Sequence, residues 1–351
     1  MAFSTPIRVA LVGYGYAGRT FHAPLIRATP GLLLVSVCSR DAERVHRDIP
    51  GIAVTASVDA AIASADTDLI VIATPSDTHA SLAITSLRAG KHVVVEKPFA
   101  LTRASAVDVA RTALETGRIV SVFHNRRWDG DFITLRQILA DDLLGRVAHF
   151  ESHFDRYRPE VKDRWRERDG PGAGVWYDLG PHLVDQAMLL FGRPDRVMGD
   201  LAALRDGAPI DDWAHVVLEY PARRVVLHAS MLVAGDPMRF LVHGHRGTWI
   251  THGVDVQEQQ LQRGLDPGDP SWGENSRPGQ LIDGATGATL ETPIARGSYE
   301  RFYMGVRDAI LGHGPNPVSI DDAVAVITVV ETAVESSKRR RALTPDMSDP
   351  R

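Results

Sequence analysis

The stretch RVALVGYGYAGRTFHAPL, Arg8–Leu25, joins a short apolar run to three glycines and then to a helical pattern. The apolar run predicts a buried strand, and Gly13, Gly15 and Gly18 follow it in the spacing GxGxxG. In a dinucleotide-binding turn the first glycine permits the tight turn, the second lets the backbone approach a pyrophosphate, and the third lets the helix pack on the strand. Free N–H groups at the start of that helix favour negative charge. The context predicts a dinucleotide-binding turn, although a glycine-rich loop without a ligand can carry the same motif.

The first third of the sequence repeats this alternation of strand and helix. Further apolar runs occur in LLLVSVCS, TDLIVIAT, KHVVVEKP and RIVSVFHN, with helical patterns between them. Nearly continuous Val, Ile and Leu runs separated by helices favour a parallel sheet that is covered on both faces. We therefore expect an α/β fold that begins with a doubly wound Rossmann domain over residues 1–123.

The remainder of the chain has a different pattern. Apolar and polar residues alternate in VAHFESHFDRYRP, HVVLEYPARRVVLHASMLV and RFLVHGHRGTWITHG, which predicts antiparallel strands with one exposed face, and YPARR reads as a hairpin turn. Residues 262–297 are rich in Gly, Pro and Asp and predict a long surface loop. YERFYMGVRDAILG and IDDAVAVITVVETAVESSKRR predict amphipathic helices. We expect a second α/β domain over 124–340, with an open, mainly antiparallel sheet, and a frayed tail over 341–351.

Composition narrows the range of functions. A chain of 351 residues favours two domains, and 44% apolar with 24% charged residues is usual for a globular protein. A net charge of −5 provides no overall electrostatic attraction to nucleic acid or acidic lipid, so we expect neither as a partner. No apolar stretch is long enough for a membrane span and no secretory signal is recognisable, which favours the cytoplasm. Cys38, the single cysteine, lies in an apolar run and is expected to be a buried side chain.

The end of the second strand bears on which dinucleotide binds. About 20 residues beyond the glycine turn, an acidic side chain normally binds the ribose 2′-hydroxyl of NAD. Ser39 occupies that position here, and Arg40 follows it. A hydroxyl and a guanidinium would bind a 2′-phosphate through charge-assisted hydrogen bonds, so we expect NADP(H). The alternative is that Asp41 binds the ribose, which would favour NAD.

Two further motifs contain candidate catalytic residues. Lys97, in VVVEKPFA, follows the fourth strand, at the edge where the carboxyl ends of parallel strands form the ligand crevice. In GPGAGVWYDLGPHLVDQ, Asp178 and His182 are four residues apart and would share one helix face. Because proline is tolerated in the first turn of a helix, Pro181 predicts that His182 lies near a helix N-terminus, where the dipole keeps the imidazole neutral and fit to act as a base. The alternatives are a solvated Lys97, an N-capping Asp178 and an ordinary packed histidine.

A metal site has less support in the sequence. His149, His153 and Asp155 would lie on one face of a strand and could approach a metal ion. No second cluster in the sequence completes such a site, so we expect no metal.

Together, GYGYAG, EKP and DLGPH resemble the signatures of the Gfo/Idh/MocA oxidoreductases, and the resemblance runs from about residue 7 to 340. The stretches GYGYAGRTFHAPLI, SVFHNRRWDGDF and ESHFDRYRPEVKDRWRE are similar to those of the NADP-dependent scyllo-inositol dehydrogenases in that family. The resemblance implies that Lys97, Asp178 and His182 are catalytic and that the second sheet packs against another subunit, giving a homodimer or homotetramer. It also assigns contacts with the cofactor and its loops to Tyr16, Ala17, Thr74, Pro75, His79, Glu96 and Asn125, and it places Arg127, a candidate substrate contact, in the loop that closes over the site. Further candidate contacts with a polyol are Arg156, Tyr157, Arg164 and Trp165, with a solvated run of charges as the alternative for most of them.

The implied reaction is hydride transfer between the nicotinamide and a ring carbinol of a cyclic polyol or sugar, with scyllo-inositol as the leading substrate. Four other functions stay open from the sequence. They are an NAD-dependent sugar dehydrogenase, a glycosidase assisted by bound NAD, a non-catalytic sugar sensor, and a dehydrogenase of an open sugar, a tetrapyrrole or a diol.

Overall fold

The first sheet carries the glycine turn. The structure is a computed structural model and describes residues 5–348. Six strands form this sheet: β1 (Ile7–Val12), β2 (Leu32–Cys38), β3 (Ala53–Thr55), β4 (Leu69–Ile72), β5 (His92–Val95) and β6 (Val120–Val122). They are all parallel, in the order β3-β2-β1-β4-β5-β6. The order reverses between β1 and β4, where ligands bind in doubly wound sheets, and the predicted Rossmann architecture is confirmed.

Helices cover both faces of this sheet. They are α1 (Ala23–Ala28), α2 (Ala42–Asp48), α3 (Val58–Ala63), α4 (His79–Arg88) and α5 (Arg103–Thr116). A π-helical turn, Gly18–His22, precedes α1. Asp41, Ser57 and Thr102 cap α2, α3 and α5 by accepting a hydrogen bond from a backbone N–H of the first turn. These caps fix where each helix begins after its strand.

The second sheet has eight strands. They are β7 (Val147–Asp155), β8 (Arg196–Ala202), β9 (Trp213–Tyr220), β10 (Arg223–Ser230), β11 (Met238–Gly244), β12 (Gly247–His252), β13 (Gly279–Asp283) and β14 (Thr289–Thr292). Their order is β14-β13-β12-β11-β7-β10-β9-β8, and all neighbours are antiparallel except β7 and β10. The predicted open, mainly antiparallel sheet is therefore confirmed, and β9 and β10 form the expected hairpin.

One face of the second sheet packs on helices. The remaining helices are α6 (Gly130–Ala140), α7 (Gly174–Phe191), α8 (Gln257–Gln262), α9 (Glu300–Ile310) and α10 (Ile320–Arg339). Trp176 of α7 lies in the same core as Phe150, Phe240 and Trp249 of the sheet. On the other face, alternate residues of β9 are only half-buried, since no described element packs over them. The sheet thus has one covered and one uncovered face.

The C-terminal helices α9 and α10 contribute side chains to the hydrophobic cores of both sheets. Tyr299, Phe302 and Val306 at α9, together with Val324 in α10, pack against the first sheet. Val330, two turns further along α10, packs against the second. Residues beyond position 298 therefore complete the core of the Rossmann sheet.

Two local expectations were wrong. The long surface loop predicted over 262–297 contains the hairpin of β13 and β14, which pairs with β12 through backbone hydrogen bonds and carries few of the branched residues that mark a strand. The tail is not frayed as far as residue 348: Leu343 exchanges two backbone hydrogen bonds with Val197, and the Arg103 side chain donates to the Asp346 carbonyl. Residues 349–351 of the predicted tail lie outside the described residues. None of the described helices is both long and apolar enough to cross a membrane.

Candidate active site

The glycine turn has the geometry that a pyrophosphate site requires. Gly13 has φ +102°, and a Cβ there would lie 2.5 Å from the Ala73 carbonyl oxygen. A Cβ on Gly18 would overlap the carbonyl oxygen of Gly13. A Cβ on Gly15 would meet nothing within 4 Å, so this backbone faces open space. The turn is tight at its ends and accessible in the middle.

A cavity of about 560 Å³ extends from this turn along the carboxyl ends of the strands. It is lined by most of the residues predicted to contact the cofactor: Gly13, Gly15, Tyr16, Ala17, Ser39, Arg40, Thr74, Pro75, His79, Glu96 and Lys97. Gly18 lies behind the turn, and Asn125 lines a neighbouring cavity instead. Apart from Gly18 and Asn125, the residues predicted to contact a dinucleotide thus line one cavity.

At the far end of this cavity the Asp41 carboxylate is turned toward α2. Its Oδ1 accepts from the Arg44 N–H at 3.0 Å, and its Oδ2 lies 3.2 Å from Arg44 Nε. Ser39 and Arg40 line the cavity, and Arg40 has no ion-pair partner in the part of the chain that the structure describes. Arg44 lines it too, and the sequence analysis missed this residue because it lies one helical turn beyond the strand end. Two guanidinium groups can therefore meet an anion here.

A second cavity, of about 440 Å³, adjoins the first and contains Lys97, Asp178 and His182. This size is within the range of small-molecule sites, about 300–1,000 Å³. The two cavities share the residues Tyr16, Ala17, Glu96, Lys97, Trp165 and Arg166. Lys97 therefore stands where the dinucleotide site opens into the second cavity.

Lys97 and Asp178 form a close ion pair between the first sheet and α7. The Lys97 Nζ donates to Asp178 Oδ1 at 2.9 Å and to the Asp178 carbonyl at 2.7 Å. Burial disfavours the charged carboxylate, but Lys97, Arg166 and Arg156 outweigh it and hold the pKa of Asp178 well below its usual range. Asp178 stays ionised and keeps the ammonium group at a fixed position.

His182 lies in the middle of α7, and not in its first turn as the sequence predicted. Pro181 is within the helix, more than one turn from its start at Gly174, so the helix dipole does not account for the state of the imidazole. Burial is the main cause, and the cations Lys97 and Arg126 add to it, so that the pKa of His182 is well below 6.5. Its Nδ1 is buried and has no hydrogen-bond partner among residues 5–348. A neutral imidazole thus lines the second cavity, as a proton acceptor requires.

Comparison with known proteins adds to this geometry. Residues 7–124 match the family model described as an oxidoreductase family with an NAD-binding Rossmann fold, and residues 136–344 match the C-terminal alpha/beta domain of the same family. The chain is a member of the Gfo/Idh/MocA oxidoreductase family. The expected family membership and the expectation of an enzyme that is an oxidoreductase are both confirmed.

Individual Gfo/Idh/MocA relatives cover almost the whole chain. The uncharacterized oxidoreductase YdgJ of Escherichia coli K12 is 48% identical, over 97% of this chain and 99% of its own. The scyllo-inositol 2-dehydrogenase (NADP(+)) IolW of Bacillus subtilis 168 is 34% identical, over 96% of this chain and 95% of its own. A crystal structure of a Klebsiella pneumoniae protein, described as an oxidoreductase, superposes with a TM-score of 0.93 at 50% identity and covers 99% of this chain and 97% of its own.

Two residues expected at the substrate lie outside the cavity of this Gfo/Idh/MocA protein. The Arg127 guanidinium is buried in an ion pair with Asp185, at 2.6 Å, and donates to the Pro317 carbonyl at 3.0 Å. Its neighbour Arg126 faces the cavity, because the two residues point in different directions from one 3₁₀ turn, Asn125–Trp128. Tyr157 is 61% exposed and lines neither cavity. Trp165, by contrast, lines both.

Glu96 and His79 line the first cavity and make hydrogen bonds to neighbouring segments of its wall. Glu96 accepts from the Lys97 N–H at 2.8 Å and lies 3.2 Å from His22 Nε2, and these contacts lower its pKa although burial alone would raise it. The two ring nitrogens of His79 lie 2.8 Å from the Pro98 carbonyl and 2.9 Å from the Thr74 carbonyl. His79 therefore ties the Thr74 loop to the chain that carries Lys97.

The opposite wall has contributions that no sequence motif marked. Glu258 of α8 accepts from Arg126 at 2.9 Å and from the Tyr16 hydroxyl at 2.6 Å. Gln262, one turn further on, donates to the same hydroxyl at 2.5 Å. The helix QEQQLQ carries no catalytic or binding signature, so only the folded chain shows that it closes the site over the glycine turn.

The wall behind Arg126 contains two carboxylates whose pKa values are raised by burial. Burial, with help from Asp255, raises the pKa of Asp129 to about 7, and burial raises that of Asp131 to about 6, although Arg126 and Arg239 oppose both shifts. These acids bind a proton more tightly in the folded chain than at their unfolded pKa of about 3.9. Their contribution to stability is therefore complete below that value and is lost as the pH rises toward 7.

Asp129→Asn is accordingly expected to reduce the loss of stability between about pH 5 and about pH 8. The reason is that an amide needs no deprotonation and its oxygen can still accept from the Tyr299 hydroxyl. Urea unfolding at both pH values measures the effect, with the exposed Asp206→Asn as the control. Parallel pH profiles for the variant and the parent protein would contradict it.

On the uncovered face of the second sheet, the residues His149, His153 and Asp155 are not grouped as the sequence suggested. His149, named in the sequence analysis, pairs with Glu151. His153 and Asp155 instead meet His228 of β10, a residue 73 positions further along the chain than Asp155. The sequence contains no spacing that predicts this meeting, because it depends on the parallel pairing of β7 with β10.

Proposed function

We propose that this protein is an NADP-dependent dehydrogenase that moves a hydride between the nicotinamide and a ring carbinol of a cyclic polyol or sugar. Scyllo-inositol and its 2-keto form are the first candidates. The observation that carries the proposal is the position of Lys97, which borders both cavities and is held by Asp178 beside His182. The activity printed for the Bacillus subtilis relative supports the choice of cofactor and polyol.

His182, Lys97 and Asp178 have separate roles in the proposed reaction. His182, which lines the second cavity, takes the proton of the ring hydroxyl. Lys97 donates a hydrogen bond to the oxygen as negative charge develops on it, which is where a fixed donor lowers the barrier most. Asp178 holds the Lys97 Nζ in place, and it orients the hydroxyl. The bound nicotinamide supplies the hydride acceptor or donor.

The residues of the first cavity fit an NADP molecule. The open backbone at Gly15 suits the pyrophosphate, and Arg40 with Arg44 suits the 2′-phosphate. Asp41 Oδ1 accepts from the backbone at the start of α2 and its Oδ2 pairs with Arg44, so a bound 2′-phosphate would share Arg44 with this carboxylate and would have Arg40 to itself.

Arg40→Ala is expected to weaken NADPH binding roughly 10–100-fold, because one charge-assisted hydrogen-bonding group is lost. NADH binding should change little. Fluorescence titration of both cofactors measures the change, and Arg47→Ala, an exposed arginine on the helix α2 that follows Arg40, is the matched control. Equal turnover with NADH and NADPH in the parent protein would overturn the proposed preference.

The substrate is tested by following the NADPH absorbance band. Purified protein is mixed with scyllo-inositol, myo-inositol, aldoses and the corresponding ketones, with each cofactor in turn. A net change in absorbance with a cyclic polyol supports the proposal. Consumption of a glycoside with no net change would indicate a hydrolase that regenerates its nicotinamide, and cofactor binding without turnover of any compound would indicate a sensor.

A substrate with an anionic group is the second candidate, and one observation favours it. Arg156 and Arg158 line the second cavity, and neither has an ion-pair partner within 4.0 Å in the described ranges of the chain. Sugar acids and polyol phosphates should therefore be included in the screen. Faster turnover of these than of the neutral polyols, lost in Arg156→Gln, would favour this candidate.

We also propose that the uncovered sheet face pairs with a second copy to give a homodimer or homotetramer, in the cytoplasm. Half-buried residues such as Trp213, Leu241 and Ile250 give that face its apolar character. Light scattering is expected to give a mass of at least twice 38.3 kDa at micromolar concentration. A mass equal to one chain would contradict this.

A further inference from the structure

Three histidines stand side by side on the uncovered face of the second sheet. In the strand register, His228 of β10 is opposite His215 of β9 and also opposite His153 of β7. The ring centroids of His153 and His228 are 5.1 Å apart, and those of His215 and His228 are 5.6 Å apart. Asp155 follows His153 by two residues and so shares its face. Three strands thus bring four polar groups together on the uncovered face of the sheet.

The donor atoms have the spacing of a metal site. Asp155 Oδ2 lies 3.2 Å from His153 Nδ1, and Asp155 Oδ1 lies 3.6 Å from His228 Nε2. One ligand atom from each of the three residues lies within 4.8 Å of the others. Bonds of about 2.0–2.1 Å in a tetrahedral zinc site place ligand atoms about 3.4 Å apart. An ion can therefore be bound with small side-chain rotations and no backbone movement.

The Asp155 carboxylate supplies an independent indication. Its side chain is only 4% exposed, and its Oδ1 has no hydrogen-bond partner among residues 5–348. A buried carboxylate oxygen without a donor is costly, and such an atom commonly marks a water or ion site. A cation between Asp155, His153 and His228 would satisfy it.

In both imidazoles, the ring nitrogen that would not bind the ion also has a hydrogen-bond partner. If His153 binds through Nδ1, its Nε2–H donates to Glu151 Oε2, at 2.9 Å. If His228 binds through Nε2, its Nδ1–H donates to His215 Nδ1, at 3.4 Å. Metal-binding histidines almost always donate their second N–H in this way, because the contact fixes the ring orientation and raises the basicity of the ligand.

We propose that His153, Asp155 and His228 bind a divalent transition-metal ion, with Zn²⁺ the best match to two imidazoles and one carboxylate. Three protein ligands leave a fourth position for water. Neutral imidazole ligands favour Zn²⁺ over the hard cations Mg²⁺ and Ca²⁺, which take oxygen ligands. The ion takes no part in hydride transfer, because it lies on the other face of β7 from Phe154, whose ring packs beside that of His182.

The test uses untagged full-length protein that has been dialysed against a chelator. Titration with Co²⁺ is expected to give one equivalent of binding with the intense visible bands of a tetrahedral site, and Zn²⁺ should remove them. His153→Ala and His228→Ala should abolish the signal, as should Asp155→Asn, which preserves side-chain shape. Glu151→Gln should weaken binding about 10–100-fold.

His243→Ala is the matched control, because His243 lies on the same face but pairs with Thr248, at 2.8 Å, outside the cluster. It should bind Co²⁺ like the parent protein, and circular dichroism checks that every variant is folded. Absence of saturable binding tighter than about 10 µM would overturn the proposal, as would equal binding by folded His153→Ala and His243→Ala. Loss of hydride transfer on metal removal would overturn the separation of the ion from the reaction, whereas unchanged transfer supports it.

Discussion

Replacement of His182 by alanine is expected to lower the rate constant for hydride transfer by roughly 10²–10⁴-fold, because a positioned base is lost. Lys97→Ala should have an effect of the same order, since the developing alkoxide loses its fixed donor. NADPH binding should change little in either variant, because the glycine turn and the arginines at the far end of the first cavity hold the phosphates. Single-turnover stopped flow, with NADPH fluorescence as a parallel measure of binding, tests both expectations.

The double variant gives a sharper test of the shared role. Because His182 and Lys97 act on the same oxygen, the combined loss should be smaller than the product of the single losses. If His182→Ala kept near-normal hydride transfer, or if Lys97→Ala merely abolished NADPH binding, the proposed roles would be wrong.

Arg127→Ala is expected to lower the free energy of unfolding by about 3–5 kcal/mol, since it leaves the carboxylate of Asp185 buried without its partner. The Arg127 side chain is 8% exposed and that of Asp185 is 2% exposed, so water does not replace the lost contact. The KM of the folded fraction for the polyol should be unchanged. Urea unfolding measures the first quantity and steady-state kinetics the second.

The paired change Arg127→Met with Asp185→Leu serves as the control. Removing both charges together should restore much of the stability, because buried ion pairs replaced by apolar side chains cost little. A large rise in KM with unchanged stability in Arg127→Ala would instead place this arginine at the substrate, as the sequence analysis expected.

The residues at the strand ends of the Rossmann sheet could be placed from the sequence, whereas much of the opposite wall of the site could not. Strand runs and glycine spacing are local properties, so Gly13, Gly15, Ser39 and Arg40 could be placed together before the fold was known. Lys97 could be placed at the crevice for the same reason, since the carboxyl ends of parallel strands always share one edge.

Contacts that depend on pairing between distant segments could not be predicted. Nothing in the sequence shows that Glu258 reaches Tyr16, or that His228 meets Asp155, because each contact follows from the path of the folded chain. Adjacent residues of a 3₁₀ turn also cannot be separated by pattern, and so Arg127 was expected where Arg126 lies. The state of His182 was predicted correctly as neutral but for the wrong cause, since burial and cations replace the expected helix dipole.

The position of α9 and α10 has a consequence for synthesis on the ribosome. Tyr299, Phe302 and Val306 complete a core whose strands were made almost two hundred residues earlier. A nascent chain that has emerged only as far as β6 exposes the apolar surface that these side chains later cover, and contacts so distant in sequence form slowly. A nascent chain that ends at β6 therefore lacks part of the Rossmann core, and exposed apolar surface of this kind favours aggregation until the last helices emerge.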